Sequence, residues 1–503
     1  MKAIKFASNH IKTMVAIGLI AACCSCKKFS DFDVNPNQPT IADPSLELSN
    51  IEQVAFSTIT TDAALACRQL VYTQSSSLTQ YYGWQRSSMS YGNITQVVKM
   101  EQEAVRAKKL NYRYLGKFFR AYYIIGMTQT FGDIPYSQMM QSIQNNNFSD
   151  SSATRPVYDK QHDVYLNVLN DLKIASDSLS SSQTSIGGDI IYNGNIQQWK
   201  MLINSFTLRI LMSLSKKVGD ATLNIKQRFA DIVTNPAQYP IFGSNGDNGQ
   251  LTYFNITGNQ YPYYNNNSMK TDFYLDSTFV GILQNLKDPR LFTFGQPTPN
   301  AVAASLSPTD FNAYGGLWGS GALSYNTNKR GQGKASSINR RFAYEPINEP
   351  SVLIGYAETQ FLLAEAVIRG WISGDANAYY KKGIQASLNF SNFNNIYSAT
   401  DIQNYLNQPA IALQSGQEIS QIITQKYISM FMNTGWQPFY EQRRTGFPVF
   451  ETTGSGVLNN GQVPKRWMYP TDEYNNNGTN VNNAVKSQYP TGDDINGVMW
   501  LIQ

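Results

Sequence analysis

The sequence predicts a mainly α protein in which tetratricopeptide-like helical pairs support a loop-rich central insertion. Three observations lead to this prediction. Apolar residues recur at three- and four-residue steps in several segments, two adjacent helical segments place small residues opposite rings, and the composition changes between about residues 240 and 350. We expect a single domain over residues 23–503, because no Pro- or Ser-rich linker is long enough to separate two domains.

The N-terminal segment has the features of a secretion signal. Three lysines within the first twelve residues precede an apolar run, residues 14–22, which is shorter than the roughly 20 residues that span a bilayer. The tetrapeptide Ile20-Ala21-Ala22-Cys23 is similar to a bacterial lipobox. We therefore expect residues 1–22 to be removed as a lipoprotein signal peptide.

Cysteine spacing points to a lipid anchor. Cys23, Cys24 and Cys26 lie within four positions of one another, whereas Cys67 is isolated, so the pattern predicts neither a disulfide framework nor a zinc site. The lipobox resemblance predicts lipidation at Cys23. Cys26 is the alternative, because Ser25 and the two lysines after Cys26 also resemble a lipoprotein start.

Three long segments carry helical periodicity, around residues 95–130, 158–179 and 195–219. In the third, Trp199, Ile203 and Phe206 lie on one stripe, which we expect to face the core. Asn195 can cap the start of this helix, and Gly219 lies just beyond its end.

Residues 356–390 predict an antiparallel helical pair. The first helix is rich in alanine and can end at Gly370, and Asp375 can cap the second. Small residues on one helix and rings on the next allow close packing, as in tetratricopeptide hairpins. The 34-residue period is not sustained along the chain, so we interpret the pair as a degenerate repeat.

The segment between about residues 240 and 350 predicts loops with a few short strands. Short apolar pieces alternate there with Gly, Pro, Asn and Ser. Irregular loops on a rigid scaffold are where recognition usually occurs. We expect this insertion to contribute to ligand binding.

The bulk composition argues against nucleic-acid binding and favours a neutral ligand. Loss of residues 1–22 removes three lysines and no acid, so the formal charge falls from +5 to +2, and no basic stripe suggests nucleic-acid binding. Abundant Asn, Gln, Ser and Thr, together with 13% aromatic residues, suit a neutral hydroxylated ligand.

The sequence predicts a binding protein and not an enzyme. After processing, His162 is the one remaining histidine, and the segment GQGKASS lacks the spacing of a phosphate-binding loop. We assign no catalytic residue, no cofactor and no metal ligand. A pair of carboxylates could in principle form a glycosidase site, but no segment presents an acid in a recognisable catalytic setting. Asp133 and the pair Arg443 and Arg444 are predicted to have structural roles.

Seven stretches in order along the mature chain resemble the SusD/RagB family of Bacteroidetes outer-membrane lipoproteins. They are SCKKFSDFDVNPNQP, FGDIPYSQ, PVYDKQHDVYLNVLNDLKIA, QWKMLINSFTLRILMSLSKKV, ETQFLLAEAVIRG, GWQPFYEQRRTGFPVF and VPKRWMYPTDEYNNN. The resemblance implies a SusD-like fold, an outer-membrane location facing the cell exterior, and a TonB-dependent SusC-like barrel as partner. It also implies capture of oligosaccharides, the function we expect, with peptide binding of the RagB type as the alternative.

The resemblance implies a ligand face built from an early loop and from the central insertion. Two ring-rich stretches hold comparable positions, and they offer Tyr81, Tyr82, Trp84, Arg86, Tyr91 and Asn93 in the first and Tyr314, Trp318 and Tyr325 in the second. Rings stack on the C–H faces of neutral sugars, while amides and Arg bond the hydroxyls. Trp84 and Trp318 are the predicted stacking platform. Alternatively, these rings fill the cores of the loops.

Overall fold

Helices account for most of the regular structure in the computed structural model, which describes residues 42–503. The predicted mainly α class is therefore confirmed. The predicted signal peptide and the candidate lipidation sites Cys23 and Cys26 lie outside the described residues. Within the part of the chain that is described, no helix has both the length and the apolarity needed to cross a bilayer.

The first half of the described chain is a set of helices with one short strand. The elements are α1 (Pro44–Phe56), α2 (Thr61–Ala66), β1 (Leu70–Tyr72), α3 (Tyr91–Arg106), α4 (Leu110–Phe131), α5 (Gln141–Gln144), α6 (Ser151–Thr154), α7 (Gln161–Ser178), α8 (Ile196–Ser213) and α9 (Ile225–Thr234).

The loop-rich segment contains short strands and short helices. These are β2 (Gly249–Leu251), α10 (Asn267–Thr271), β3 (Phe273–Leu275), α11 (Ser277–Leu286), α12 (Leu291–Phe294), α13 (Pro299–Ala303), α14 (Leu323–Gly331) and α15 (Arg341–Tyr344). The remainder consists of β4 (Ser351–Ile354), α16 (Tyr356–Ile368), α17 (Ala376–Ser391), α18 (Ala399–Leu406), α19 (Glu418–Ser429), α20 (Gln437–Thr445) and α21 (Thr471–Gln488).

Side-chain caps at the predicted positions fix several helix boundaries. The Asn195 side chain accepts hydrogen bonds from the first turn of α8, and Asp375 accepts one from Ala378 N at 3.0 Å at the start of α17. Gly370, with φ of +67°, follows the C-terminus of α16 in the left-handed conformation that favours glycine. The predicted antiparallel pair is thus α16 and α17, which pack on each other.

The strands form two small antiparallel sheets that tie the insertion to the helices. In one, β1 pairs with β3, with Val71 opposite Tyr274; in the other, β2 pairs with β4, with Gln250 opposite Val352. The first sheet joins the segment before the early loop to the insertion. It therefore helps to bring the two predicted ligand-binding stretches together.

The core of residues 44–503 is mainly apolar, but it also contains buried ion pairs. Arg444 binds both carboxylate oxygens of Glu365, at 2.6 and 2.8 Å, and also contacts Glu441. Arg443 donates to the carbonyl oxygens of Gln129 and Lys465 at 2.8 and 2.7 Å. The predicted structural role of the two arginines is confirmed.

Asp133 also has the structural role that its sequence context predicts. Its Oδ1 accepts a hydrogen bond from Gln161 N at 2.8 Å and so caps the start of α7. Gly132, with φ of +95°, ends α4 immediately before it. Burial raises the pKa of Asp133 to about 7, although this hydrogen bond opposes the rise.

Candidate ligand-binding site

The two predicted stretches converge on a third segment, residues 451–458. Gly456 N donates to Ser320 O at 2.8 Å, which attaches this segment to the second stretch. Leu458 N donates to Tyr81 O, also at 2.8 Å, which attaches it to the first. The early loop and the insertion therefore form one continuous surface, held together by residues that neither stretch contains.

Trp318 and Tyr325 form a ring pair on this surface. Their ring centroids are 5.6 Å apart and their planes are almost perpendicular, at 82°. Tyr325 is 48% exposed and Trp318 is partly exposed. The pair therefore presents an aromatic corner to solvent, in which the Tyr325 ring is the more accessible.

Glu451 holds the Trp318 loop in place. Its carboxylate accepts hydrogen bonds from the Trp318 indole N–H, from the Ser320 hydroxyl and from Thr453 N, the last at 2.6 Å. Partial burial alone would raise the pKa of Glu451, but hydrogen bonds from Ser320 and Thr453 outweigh it and lower the pKa. The orientation of the Trp318 ring thus depends on an ionised acceptor.

Residue 319, next to Trp318, must be glycine because the backbone at this position passes close to two buried charged residues. A Cβ atom at Gly319 would lie 2.0 Å from Asp276 Oδ2 and 3.1 Å from Arg68 Cδ. Asp276 and Arg68 are fully buried, and Arg68 donates to Gln80 O at 2.6 Å and to Glu451 O at 2.9 Å. One buried guanidinium therefore supports both the early loop and the 451–458 segment.

Tyr81 and Tyr82 lie beneath this surface. Both are buried, and the Tyr82 hydroxyl donates to Ala66 O at 2.9 Å while the Arg68 guanidinium lies 4.2 Å from its ring centroid. Burial raises the pKa of both phenols. In this structure the two rings contact protein, and their predicted contact with a ligand stays a prediction.

Trp84 belongs to a separate aromatic cluster. It stacks on Trp467 with centroids 5.0 Å apart and planes 15° apart, and it contacts Trp436 edge to face. Only 6% of Trp84 is exposed, and its indole N–H donates to Arg466 O at 3.2 Å. The structure therefore does not place the two predicted stacking tryptophans on one platform. Trp84 instead lines a cavity of about 460 Å³.

The remaining residues of the first stretch are dispersed. Arg86 pairs with Asp493 at 3.1 Å, and Tyr91 is the first residue of α3, where burial and then the charge of Glu473 raise its pKa. Asn93 lines a cavity of about 310 Å³. None of these three side chains is part of the Trp318–Tyr325 corner.

Tyr314 is buried behind the corner. Its hydroxyl donates to Pro308 O at 2.7 Å, and its ring lies 5.8 Å from that of Phe292. Burial raises its pKa. This ring is a packed loop core, as the alternative interpretation of the stretch predicts, although its role toward a ligand is untested.

Sequence reasoning missed Glu451, Trp436 and Trp467 as site residues. The segment TTGSG, residues 452–456, carries a signal that could have been used, since its two glycines allow the close approach to Ser320 and Tyr81. Trp436 and Trp467 lie in two of the stretches that carry the family resemblance, GWQPFYEQRRTGFPVF and VPKRWMYPTDEYNNN, and neither stretch was expected to contribute to the ligand face. Their role in lining a cavity depends on contacts between residues far apart in the sequence.

The described residues show no arrangement suited to a metal ion. No group of three or more His, Cys, Asp or Glu side chains within residues 42–503 is placed to hold one. His162, on α7, contacts Asp163, Asp220 and the Trp500 ring at the protein surface. What the aromatic corner offers chemically is stacking and hydrogen bonding.

Comparisons of the sequence and of the structure with known proteins agree on one protein family. A SusD-like family model described as "Starch-binding associating with outer membrane" matches residues 36–470. A SusD homologue from Bacteroides fragilis is 40% identical, with a TM-score of 0.83, covering 92% of this chain and 99% of its own.

Other solved structures are similar over the same length. An outer-membrane protein from Bacteroides vulgatus, associated with nutrient binding, is 37% identical and has a TM-score of 0.85, covering 92% of this chain and 100% of its own. A chitin-binding protein is 26% identical with a TM-score of 0.74 and the same coverage. No curated protein matches the chain significantly.

Proposed function

The chain belongs to the SusD-like family. From that premise we propose that it is a lipid-anchored outer-membrane protein that binds oligosaccharides at the cell surface. We further propose that it delivers them to a TonB-dependent SusC-like transporter. Binding and not catalysis is its proposed activity. The similarity to an outer-membrane protein linked to nutrient binding and to a chitin-binding protein supports the ligand class.

The single observation that carries the proposal is the convergence of the early loop and the insertion at the Trp318–Tyr325 corner. Sugars present flat C–H faces that stack on aromatic rings, and two perpendicular rings can contact two sides of one sugar unit. The Arg68 guanidinium beneath the corner is buried and donates to Gln80 O and Glu451 O, and the Glu451 carboxylate accepts from the Trp318 indole N–H. With a buried cation and an acidic side chain against the Trp318 ring, the corner suits a neutral ligand better than an anion.

A matched pair of tyrosine variants tests the site. Tyr325 and Tyr344 are exposed to a similar extent, at 48% and 41%, but Tyr344 lies outside the converging loops. Tyr325→Ala should weaken the binding of maltoheptaose or chitohexaose by about 1–3 kcal/mol, by analogy with base–aromatic stacking, whereas Tyr344→Ala should leave it unchanged. Calorimetric titration measures both. Equal affinities in the two variants would contradict the proposed site, and saturable binding of peptides alone would favour the RagB-type function.

Delivery to a transporter is tested separately. The full-length protein, purified from native membranes in mild detergent, should bring down a TonB-dependent barrel. Repeated isolation without such a barrel would contradict the partner proposal while leaving ligand binding intact.

A further inference from the structure

Behind the early loop, two cavities of the described chain adjoin each other. The larger, of about 460 Å³, is lined by Trp84, Trp436 and Trp467, and the other has a volume of about 310 Å³. They share four residues: Ser90, Gly126, Trp436 and Tyr440. Each lies within the range of about 300–1,000 Å³ that is usual for small-molecule sites. We refer to the two cavities together as the tryptophan groove.

Aromatic rings form one wall of the tryptophan groove. Trp467 stacks on Trp84, and Trp436 meets Trp467 edge to face with centroids 4.7 Å apart. Trp436 is partly exposed, while Trp84 and Trp467 are 6% and 8% exposed. These rings are held by one another, so the wall is rigid before any ligand arrives.

Polar groups that line the tryptophan groove have unused hydrogen-bonding capacity. The hydroxyls of Thr79, Ser87, Ser88 and Ser90 have no hydrogen-bond partner within residues 42–503. The indole N–H groups of Trp436 and Trp467 likewise donate to no acceptor in that range, and neither nitrogen is sealed from solvent. Rings beside free hydroxyl and N–H groups are the combination that a sugar requires.

The charges around the groove argue against an anionic ligand. Among the described residues that line the larger cavity, the one charged side chain is that of Asp62, an acid. Arg209 lines the smaller cavity, but its Nε lies 2.7 Å from Glu358 Oε1, and it also donates to Leu353 O. A phosphate or carboxylate group would find no free cation here.

Packing does not explain why residue 126 is glycine. It lies in the interior of α4, where glycine costs about 1 kcal/mol relative to alanine. A Cβ atom at this position would meet nothing within 4 Å, and its φ is not in the left-handed region. Neither a steric clash nor the backbone conformation therefore requires glycine. What glycine does provide is open space at the junction of the two cavities.

We propose that the tryptophan groove is a second binding site of this protein, for a neutral saccharide chain whose units stack on Trp436 and whose hydroxyls pair with those of Thr79, Ser87, Ser88 and Ser90. The site is distinct from the Trp318–Tyr325 corner. Its ligand class follows from the groups that line the groove, and the open junction at Gly126 allows more than one sugar unit to be held.

A cavity-filling variant of the full-length chain tests the site without removing a packed side chain. Gly126→Leu should block the junction, and because it improves helix propensity the unfolding midpoint should not fall. Gly281→Leu is the matched control, since Gly281 lies inside α11, also has nothing within 4 Å of a Cβ atom, and lines neither cavity. Binding of maltoheptaose and of chitohexaose is followed by tryptophan fluorescence and calorimetry.

The wild type and Gly281→Leu should bind two saccharide molecules per chain, and Gly126→Leu should lose one of them. Unchanged stoichiometry and affinity in Gly126→Leu would overturn the inference. Binding of a single molecule that is lost in Tyr325→Ala but kept in Gly126→Leu would also overturn it, while leaving the proposed function in place. Binding that is lost in Gly126→Leu and kept in Tyr325→Ala would support the groove and contradict the proposed corner.

Discussion

Replacement of Asp276 by Asn should flatten the pH dependence of stability. Asp276 is 1% exposed and caps α11, where its Oδ1 accepts from Thr278 N at 2.7 Å. Its Oδ2 has no hydrogen-bond partner among the described residues. Burial raises the pKa from 3.8 to about 6, and the nearby charge of Arg68 partly opposes this. Asn keeps the capping oxygen and removes the buried negative charge.

The magnitude follows from proton linkage. Because the pKa of Asp276 is higher in the folded state, the folded state binds more protons between the two pKa values, and stability increases as the pH falls through the folded pKa. From about pH 7.5 to about pH 5, this group should add about 1.4 kcal/mol to the free energy of unfolding of the wild type. Asp276→Asn should lack that increment.

Urea unfolding at several pH values, followed by tryptophan fluorescence, measures the difference. Burial also raises the pKa of Asp133 to about 7 and that of Glu52 to about 10, so the wild type has further contributions of the same sign. These are common to both proteins and cancel in the comparison. If the two proteins show the same slope of stability against pH, the reasoning about Asp276 is refuted.

Three further predictions concern packing, buried charge and the anchor. Trp84→Ala should lower the free energy of unfolding by about 3–5 kcal/mol, because Trp84 stacks in a buried cluster; a normal denaturation curve would contradict this. Arg444→Met should cost about 3–5 kcal/mol in the same assay, because it leaves the buried Glu365 without its bidentate partner, and a loss below about 1 kcal/mol would count against it. Cys23→Ala should abolish acylation in a labelling experiment with radioactive palmitate; loss of label in Cys26→Ala alone would move the anchor to Cys26.

Local signals along the chain predicted where several helices begin and end. The segment around residues 95–130, however, forms two helices, α3 and α4, and α8 ends at Ser213, several residues before Gly219. The Asn195 and Asp375 caps and the left-handed Gly370 lie where the sequence places them, because a cap or a terminating glycine acts within a few residues of its own position. The loop-rich insertion was predicted as a region with a few short strands, but the positions and pairing of those strands, and the short helices beside them, were not predicted. β3, for example, depends on pairing with β1, about 200 residues earlier in the sequence.

The candidate site could be predicted only in part, and for the same reason. The sequence selected Trp318 and Tyr325, which form the exposed corner, but it also selected Tyr82 and Trp84, which are buried. Composition identifies rings in a loop, whereas exposure depends on which distant segments cover them. Residue Glu451 was missed because its role arises from contacts with a loop more than 100 residues away.

Calorimetric titration of the full-length protein with maltoheptaose, compared with Trp318→Ala, tests the central claim of oligosaccharide binding at the corner most directly. Trp318 is partly exposed, so its replacement should leave the unfolding curve nearly unchanged. The wild type should bind saturably, and Trp318→Ala should bind about 5- to 150-fold more weakly, which corresponds to about 1–3 kcal/mol. Absence of saturable binding by the wild type, or equal affinity in the folded variant, would contradict the account.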